Sequence, residues 1–200
     1  MNRIELKAQA KQQIKGKIGA FFLVSLVISL IMFAATFVLS FIPCGSWIST
    51  LILTPAFTLS LINIILNVTR GGTPAVGDAF CGFDDFWSAF KVTFLVGLFT
   101  FLWSLLFVIP GIVKSYSYSM SMYILAENKG KPALECINES KAMTNGHKMD
   151  LFVLNLSFIG WILLGLITFG IAFIWIEPYM YVTMANAYHS LKPSVQVIEE

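Results

Sequence analysis

Two stretches of 41 residues each, almost free of charge, limit what this chain can fold into. Phe86–Ala126 carries Lys91 and Lys114 as its only formal charges, and Leu151–Leu191 carries only Glu177. A helix that crosses the hydrocarbon core of a membrane needs about 20 apolar residues. Each stretch is therefore long enough for two crossings and a turn, and each predicts a helical hairpin.

The N-terminal part of the chain predicts a third hairpin. Ile18–Ile42 is uncharged and Trp47–Thr69 follows it after a break at Pro43-Cys44-Gly45-Ser46, with a kink expected at Pro55. In the second hairpin the turn is predicted at Pro110-Gly111. Charged residues make up 12% of the chain, about half of the roughly 25% that is usual in soluble domains. We therefore expect an all-α membrane protein with six transmembrane helices arranged as three helical hairpins.

The basic residues fall on one side of the six predicted spans. If the N-terminus lies inside the cell, Lys114 alone of the 13 Lys and Arg residues lies outside. Positive charge concentrates in this way in the short cytoplasmic loops of membrane proteins. We expect a multi-pass protein of a bacterial plasma membrane with both termini in the cytoplasm, where its basic residues contact the anionic leaflet and no nucleic acid is needed. The inner residues are Arg3, Lys7, Lys11, Lys15, Lys17, Arg70, Lys91, Lys129, Lys131, Lys141, Lys148 and Lys192.

Short polar segments precede the hairpins. Pro132–Gly146 begins with proline and ends with glycine, which predicts a short interfacial helix on the cytoplasmic side, and Asn2–Lys15 also favours helix. Each segment with its hairpin forms one of three predicted parallel repeats, 1–73, 74–131 and 132–192, inside a single integral membrane domain, 1–200. Trp103 and Trp161 match at an offset of 58 residues. Chance similarity between apolar segments is the alternative explanation.

The second and third hairpins place a charge and two tyrosines just after the predicted outer turn. The two charges, of opposite sign, could form an ion pair, or each could extend to the lipid headgroups beside its own turn. The tyrosines could line a ligand site, or they could serve helix packing and the membrane interface. The candidate intramembrane polar site consists of Lys114, Tyr116, Tyr118, Glu177, Tyr179 and Tyr181.

No pattern in the sequence predicts catalysis. GxSxG, HExxH and phosphate-binding loops do not occur, so no catalytic residue is expected and the protein is not expected to be an enzyme. Cys44, Cys81 and Cys136 form no CxxC pair and no zinc-type cluster with histidine, and we expect all three to be unpaired. We therefore expect no metal and no cofactor.

Several runs of the sequence resemble a known family. They are LWSLLFVIPGIVKSYSYSMSMYILAEN, ESKAMTNGHKMDLFVLNLSFIGWILLG and the later EPY. They are similar to a bacterial family of uncharacterised integral membrane proteins, the domain-of-unknown-function family nine-seven-five. The resemblance implies a six-span protein of the bacterial plasma membrane, and it implies no reaction, substrate or catalytic residue.

Two kinds of function remain open at this point. The first is a non-enzymatic binding or transport-associated role for a lipid, a peptide or another amphiphile. The second is that of a structural or accessory subunit, self-associated or bound to a membrane-protein partner such as a transporter, in peptide export or self-protection. A cavity lined by the tyrosines favours the first function. A close-packed bundle with an exposed apolar groove favours the second.

Overall fold

All of the regular secondary structure in the described part of the chain is helical. The computed structural model covers residues 3–41, 45–168 and 170–192, with side chains for all of them except 45–49. A 3-10 helix, Val76–Phe83, lies between the third and fourth α-helices. The α-helices are α1 (Arg3–Ile14), α2 (Ile18–Leu39), α3 (Gly45–Thr69), α4 (Phe86–Leu106), α5 (Val108–Tyr118), α6 (Ser121–Glu127), α7 (Ala133–Met143), α8 (Lys148–Leu156), α9 (Ile159–Ile167) and α10 (Phe173–Leu191).

Four helical segments are long and apolar enough to cross a membrane. They coincide with the first, second, third and fifth predicted spans, and they indicate an all-α chain that associates with a membrane. In place of the fourth predicted span stand two short helices, α5 and α6, and in place of the sixth stands α10, which contains Glu177 and Pro178. The four segments are Ile18–Leu39, Thr50–Thr69, Phe86–Leu106 and Lys148–Ile167.

Helix α3 is the centre of the bundle. It packs against α2, α4, α6 and α10 and against the 3-10 helix. Its apolar residues are almost completely buried at positions such as Phe57, Ile64 and Val68. Pro55 lies inside this helix, as expected. The predicted break between α2 and α3, including Pro43 and Cys44, lies outside the described residues.

The turn of the second hairpin does not lie where the sequence predicted it. The chain is extended at Phe107, with φ −158° and ψ 142°, and Pro110-Gly111 belongs to the first residues of α5. Proline fits the first turn of a helix because the amide hydrogens there have no intrahelical acceptor. Gly111 is needed for packing: a Cβ at this position would lie 2.2 Å from Oγ of Ser104 in α4. The glycine therefore lets the two helices of the hairpin approach closely.

Helix α7 supplies hydrogen-bond partners to backbone groups at the break between α5 and α6. The Ser140 hydroxyl donates to the carbonyl oxygen of Ser117 at 2.8 Å and accepts from the backbone amide of Met120 at 3.2 Å. Thr144 Oγ1 also donates to the Ser117 carbonyl, at 3.4 Å. Buried backbone groups that lose their helical partners must find others. The predicted helix in Pro132–Gly146 is confirmed, and it is packed into the protein through five buried residues: Ala133, Cys136, Ile137, Ser140 and Met143.

The third hairpin bends at Ser157-Phe158, between α8 and α9, and turns near Gly170, whose φ is +90°. Its second helix, α10, holds α1 against the bundle. Helix α1 buries Leu6, Ala10 and Ile14, which are spaced at intervals of four residues along one face. The sequence pattern alone defined this apolar face poorly. The three-repeat organisation, 1–73, 74–131 and 132–192, stays a prediction.

The 3-10 helix penetrates the bundle beside α3. Gly82 donates its amide to Oγ of Ser60 at 2.8 Å, and a Cβ on Gly82 would lie 2.0 Å from the carbonyl oxygen of Ala56. Phe83 packs edge-on against Phe57, with ring centroids 5.3 Å apart. The contact thus depends on a glycine at position 82. Cys81 and Cys136 are free thiols, as predicted, and Cys44 lies outside the described residues.

Candidate membrane clefts and the Glu127 cluster

Lys114, in α5, lies over an aromatic ring of α4, the other helix of its hairpin. Its Nζ is 4.6 Å from the centroid of the Trp103 ring, a cation–π contact. Trp103 lies three residues before the end of α4, and Lys114 belongs to α5, the next helix of the same hairpin. The structure therefore gives this cation an aromatic partner within its own hairpin.

The tyrosines of the second hairpin pack against other side chains. Tyr116 meets Phe152 at right angles with ring centroids 5.9 Å apart, and its hydroxyl accepts from Nδ2 of Asn155 at 3.4 Å. Tyr118 is buried and lies 6.2 Å from the ring of Phe99. These contacts join α5 to α4 and α8, and they fit the packing explanation for both residues.

The tyrosines of α10 differ from each other. The Tyr179 ring contacts Phe158 edge-on at 5.5 Å and Trp161 at 6.3 Å. Tyr181 leaves 42% of its surface exposed. The two Trp residues matched in the sequence thus each contact a candidate site residue, Trp103 through Lys114 and Trp161 through Tyr179. Whether the six residues act as one site stays a prediction.

Glu177 lies in a cleft between α2 and α10. The cleft encloses about 180 Å³, and its walls are mainly apolar. Two of the α2 residues that line it, Ser25 and Ser29, lie about 10 and 16 Å along the helix axis from the first residue of α2, at 1.5 Å per residue. The lining residues are Phe21, Phe22, Ser25, Leu26, Ser29, Gly170, Phe173, Ile174, Glu177 and Pro178.

Lys114 and Glu177 do not meet. Among the residues that the structure describes, the ion pairs do not include this one, and Lys114 contacts Trp103 instead. Lys114 lies over Trp103 of α4, whereas Glu177 lines the cleft between α2 and α10. The two charges of the candidate site therefore occupy separate environments.

A larger groove, of about 420 Å³, opens between α3 and α4. Both of these helices belong to the segments that can cross a membrane. Gly97 forms part of its floor, and a Cβ on this residue would meet no atom within 4 Å. Thr93 is the one residue with a polar side chain among those that line it: Leu51, Pro55, Phe90, Thr93, Phe94, Gly97, Leu98 and Phe101.

A cluster of charges lies at the C-terminal ends of α3, α6 and α10, and the sequence did not predict it. Arg70 Nη2 and Lys192 Nζ each lie 2.6 Å from a different carboxylate oxygen of Glu127, and the Tyr188 hydroxyl donates to Glu127 Oε2 at 2.7 Å. The Glu127 side chain is only 8% exposed, whereas those of Arg70 and Lys192 are 61% and 47% exposed. We call these four residues the Glu127 cluster.

The environment of Glu127 acts on its pKa in two directions. Burial raises the pKa of the carboxyl group, but hydrogen bonds from Lys192, Tyr188 and Arg70 and the positive charge of Lys192 lower it by more. The pKa of Glu127 is therefore below its ordinary value. The carboxylate holds its charge and ties the ends of three helices together.

A second set of polar contacts attaches α1 beside this cluster. Nδ2 of Asn186 donates to Oε1 of Gln13 at 2.9 Å, and Gln13 donates to the carbonyl oxygen of Thr69 at 3.3 Å. Lys17 Nζ donates to the carbonyl oxygens of Gly71 and Gly72 at 3.1 and 2.7 Å, at the end of α3. The N-terminal helix is thereby fixed to the same end of the bundle as the Glu127 cluster.

A family model matches the chain over residues 1–114 and 105–194, and its description is "Protein of unknown function (DUF975)". The two matched segments together cover nearly all 200 residues. They include both hairpins on which the resemblance in the sequence was based. Neither a curated protein nor a solved structure matches the chain.

Proposed function

The chain belongs to this family, and we propose that it is a six-span, non-enzymatic protein of a bacterial plasma membrane that binds an amphiphile. In this topology α5 with α6 forms the fourth span and α10 forms the sixth. Both termini and the Glu127 cluster lie in the cytoplasm, where the basic residues of α1 contact anionic lipid headgroups.

The groove between α3 and α4 carries the proposal of amphiphile binding. It is open along two helices that can cross a membrane, and its walls are aromatic and aliphatic. A volume of about 420 Å³ lies in the range of roughly 300–1,000 Å³ that is usual for small-molecule sites. An aliphatic tail satisfies such a surface without leaving a buried polar group unpaired. The groove therefore suits the apolar part of a lipid or of another amphiphile.

The accessory-subunit hypothesis is the second candidate, and the same groove supports it. Phe94 and Phe101 are 50% and 63% exposed, and a helix of a partner membrane protein could pack against them. Gly97, which has no side chain, would allow a close approach of the two helix backbones. The two hypotheses differ in what occupies the groove, so identification of the occupant decides between them.

Photo-crosslinking from the groove tests the proposal. A benzophenone amino acid is placed at Leu98, inside the groove, in living cells, and the adduct is identified by mass spectrometry. We expect a small amphiphile on Leu98. A control at Leu105, which lies outside the groove on the same helix and is 74% exposed, should give a different and weaker pattern. The substitution Gly97→Phe fills the groove and should abolish the Leu98 adduct.

The outcomes separate the hypotheses. A polypeptide adduct at Leu98 that is absent at Leu105 would establish the accessory role in place of amphiphile binding. Equal lipid adducts at both positions, unchanged by Gly97→Phe, would mean that the groove is ordinary lipid-facing surface and would refute the proposal.

A further inference from the structure

We infer that the cleft between α2 and α10 binds the ammonium group of a cationic amphiphile, with Glu177 as its counter-charge. This inference rests on the proposed binding of amphiphiles and specifies their charge. It concerns a different place in the bundle from the groove between α3 and α4, so each site can be tested while the other is intact.

The first observation concerns the partners of the Glu177 carboxylate. In the described part of the chain no hydrogen bond or ion pair reaches it. The other charged residue of the candidate polar site, Lys114, lies over Trp103. A charged side chain among apolar residues at membrane depth is costly and commonly marks a path or a site for an ion or substrate. A cationic ligand supplies the missing counter-charge.

The second observation concerns two serine hydroxyl groups in the same cleft. Ser25 and Ser29 are four residues apart in α2 and line the same cleft as Glu177. Some helical serines of the described chain donate to a carbonyl oxygen of the preceding turn, as Ser60 does to Ala56. No such bond involves Ser25 or Ser29 among the described residues, so both hydroxyl oxygens are available as acceptors.

Together these groups match an ammonium ion. A primary ammonium has three N–H donors and no acceptor, and the cleft offers a carboxylate and two hydroxyl oxygens. Phe21, Phe22 and Phe173 also line the cleft, and aromatic faces attract cations. An anionic headgroup would meet the carboxylate with repulsion. The volume of about 180 Å³ admits a small headgroup, and the tail stays in the surrounding hydrocarbon.

The experiment measures binding of dodecylamine to the full-length protein in lipid nanodiscs by calorimetry. We expect Glu177→Gln to weaken the affinity by at least about tenfold, the usual effect of losing a charge-assisted hydrogen bond. Ser25→Ala should weaken it by a few fold. Dodecyltrimethylammonium, which has no N–H donor, should bind more weakly and should not respond to Ser25→Ala. Glu135→Gln, at an exposed carboxylate on α7, is the control and should change nothing.

Two further arms separate the sources of the ammonium group and the failure of each proposal. An apolar peptide with one lysine competes with dodecylamine if the natural ligand is a peptide, and an ethanolamine lipid competes if it is a lipid. Competition by either supports the inference. Unchanged dodecylamine affinity in Glu177→Gln, or displacement of dodecylamine by sodium ions alone, overturns it.

To verify that each variant is folded, the crosslinking residue is also placed at Leu98, and formation of the Leu98 adduct in the groove between α3 and α4 is measured. If that crosslink persists while Glu177→Gln leaves dodecylamine binding unchanged, the inference fails and the proposed function stands. If the Leu98 adduct is also insensitive to Gly97→Phe, the proposed function fails as well.

Discussion

Removal of both cations from the Glu127 cluster should destabilise the protein far more than removal of either one. Each of Arg70 and Lys192 is about half exposed to solvent, so a single substitution to methionine removes one screened pair and leaves the carboxylate a second cation. Such pairs contribute about 0–1 kcal/mol. The double variant Arg70→Met/Lys192→Met leaves Glu127 with the Tyr188 hydroxyl as its one remaining partner in the cluster.

The size of the effect follows from the burial of Glu127, whose side chain is 8% exposed. A buried charge that loses its partners costs about 3–5 kcal/mol. For a chain of this length, 1 kcal/mol corresponds to about 2–4 °C in Tm, so the double variant should lose roughly 6–20 °C. The addition of Glu127→Gln removes the stranded charge and should restore most of this loss, although Glu127→Gln alone destabilises the protein.

The assay is thermal unfolding of the detergent-solubilised protein for the single, double and triple variants. Lys129→Met is the matched control, because Lys129 forms a 4.0 Å pair with Asp84 in which both side chains are more than 60% exposed. It should shift Tm by no more than a few degrees. If the triple variant is less stable than the double variant, the losses are additive and the carboxylate is not held by these cations.

Three further results are expected. As pH falls below about 4.3, the stability of the protein should decline, because the pKa of Glu127 in the folded state lies below its ordinary value. The contribution of the Glu127 cluster to stability is complete at higher pH and is lost when Glu127 is protonated. In the variant Glu127→Gln this acid-induced loss of stability should be missing. Ser140→Ala should lower the free energy of unfolding, measured with a chemical denaturant, by about 1–3 kcal/mol, because it removes a hydrogen-bond partner from the Ser117 carbonyl and the Met120 amide. Ser115→Ala, at an exposed hydroxyl, should lower it by less than about 1 kcal/mol. Gly82→Ala should lower Tm by several degrees because its Cβ would lie 2.0 Å from a backbone oxygen, while Gly77→Ala, with no atom within 4 Å, should not; equal effects would contradict the packing of the 3-10 helix.

Long apolar runs made the first, second, third and fifth helical segments predictable, because length and hydropathy are enough to define them. The turn of the second hairpin was predicted at Pro110-Gly111, about one helical turn after its position at Phe107 in the structure. Proline is as compatible with the first turn of a helix as with the loop before it, and the need for glycine came from contact with Ser104, a residue of another helix.

The Glu127 cluster could not be predicted in the same way. Arg70, Glu127 and Lys192 are 57 and 65 residues apart, and each stands at the end of an apolar stretch, where a single charge normally faces water. The one signal in the sequence was that each of three segments ends in a charge on the same predicted side. Conversely, Lys114 and Glu177 looked equivalent in sequence, but tertiary packing gives them different surroundings: Lys114 lies over Trp103, and Glu177 lines the cleft between α2 and α10.

Cysteine accessibility tests the six-span topology most directly. On a cysteine-free background, single cysteines at Ile109 and Ile171, which are 75% and 63% exposed, should react with an impermeant maleimide in intact cells. Cysteines at the exposed positions Lys129 and Asn145 should react only after permeabilisation. If only the four long apolar segments crossed the membrane, Lys129 and Asn145 would be labelled from outside and Ile171 would not. That result would contradict the six-span topology.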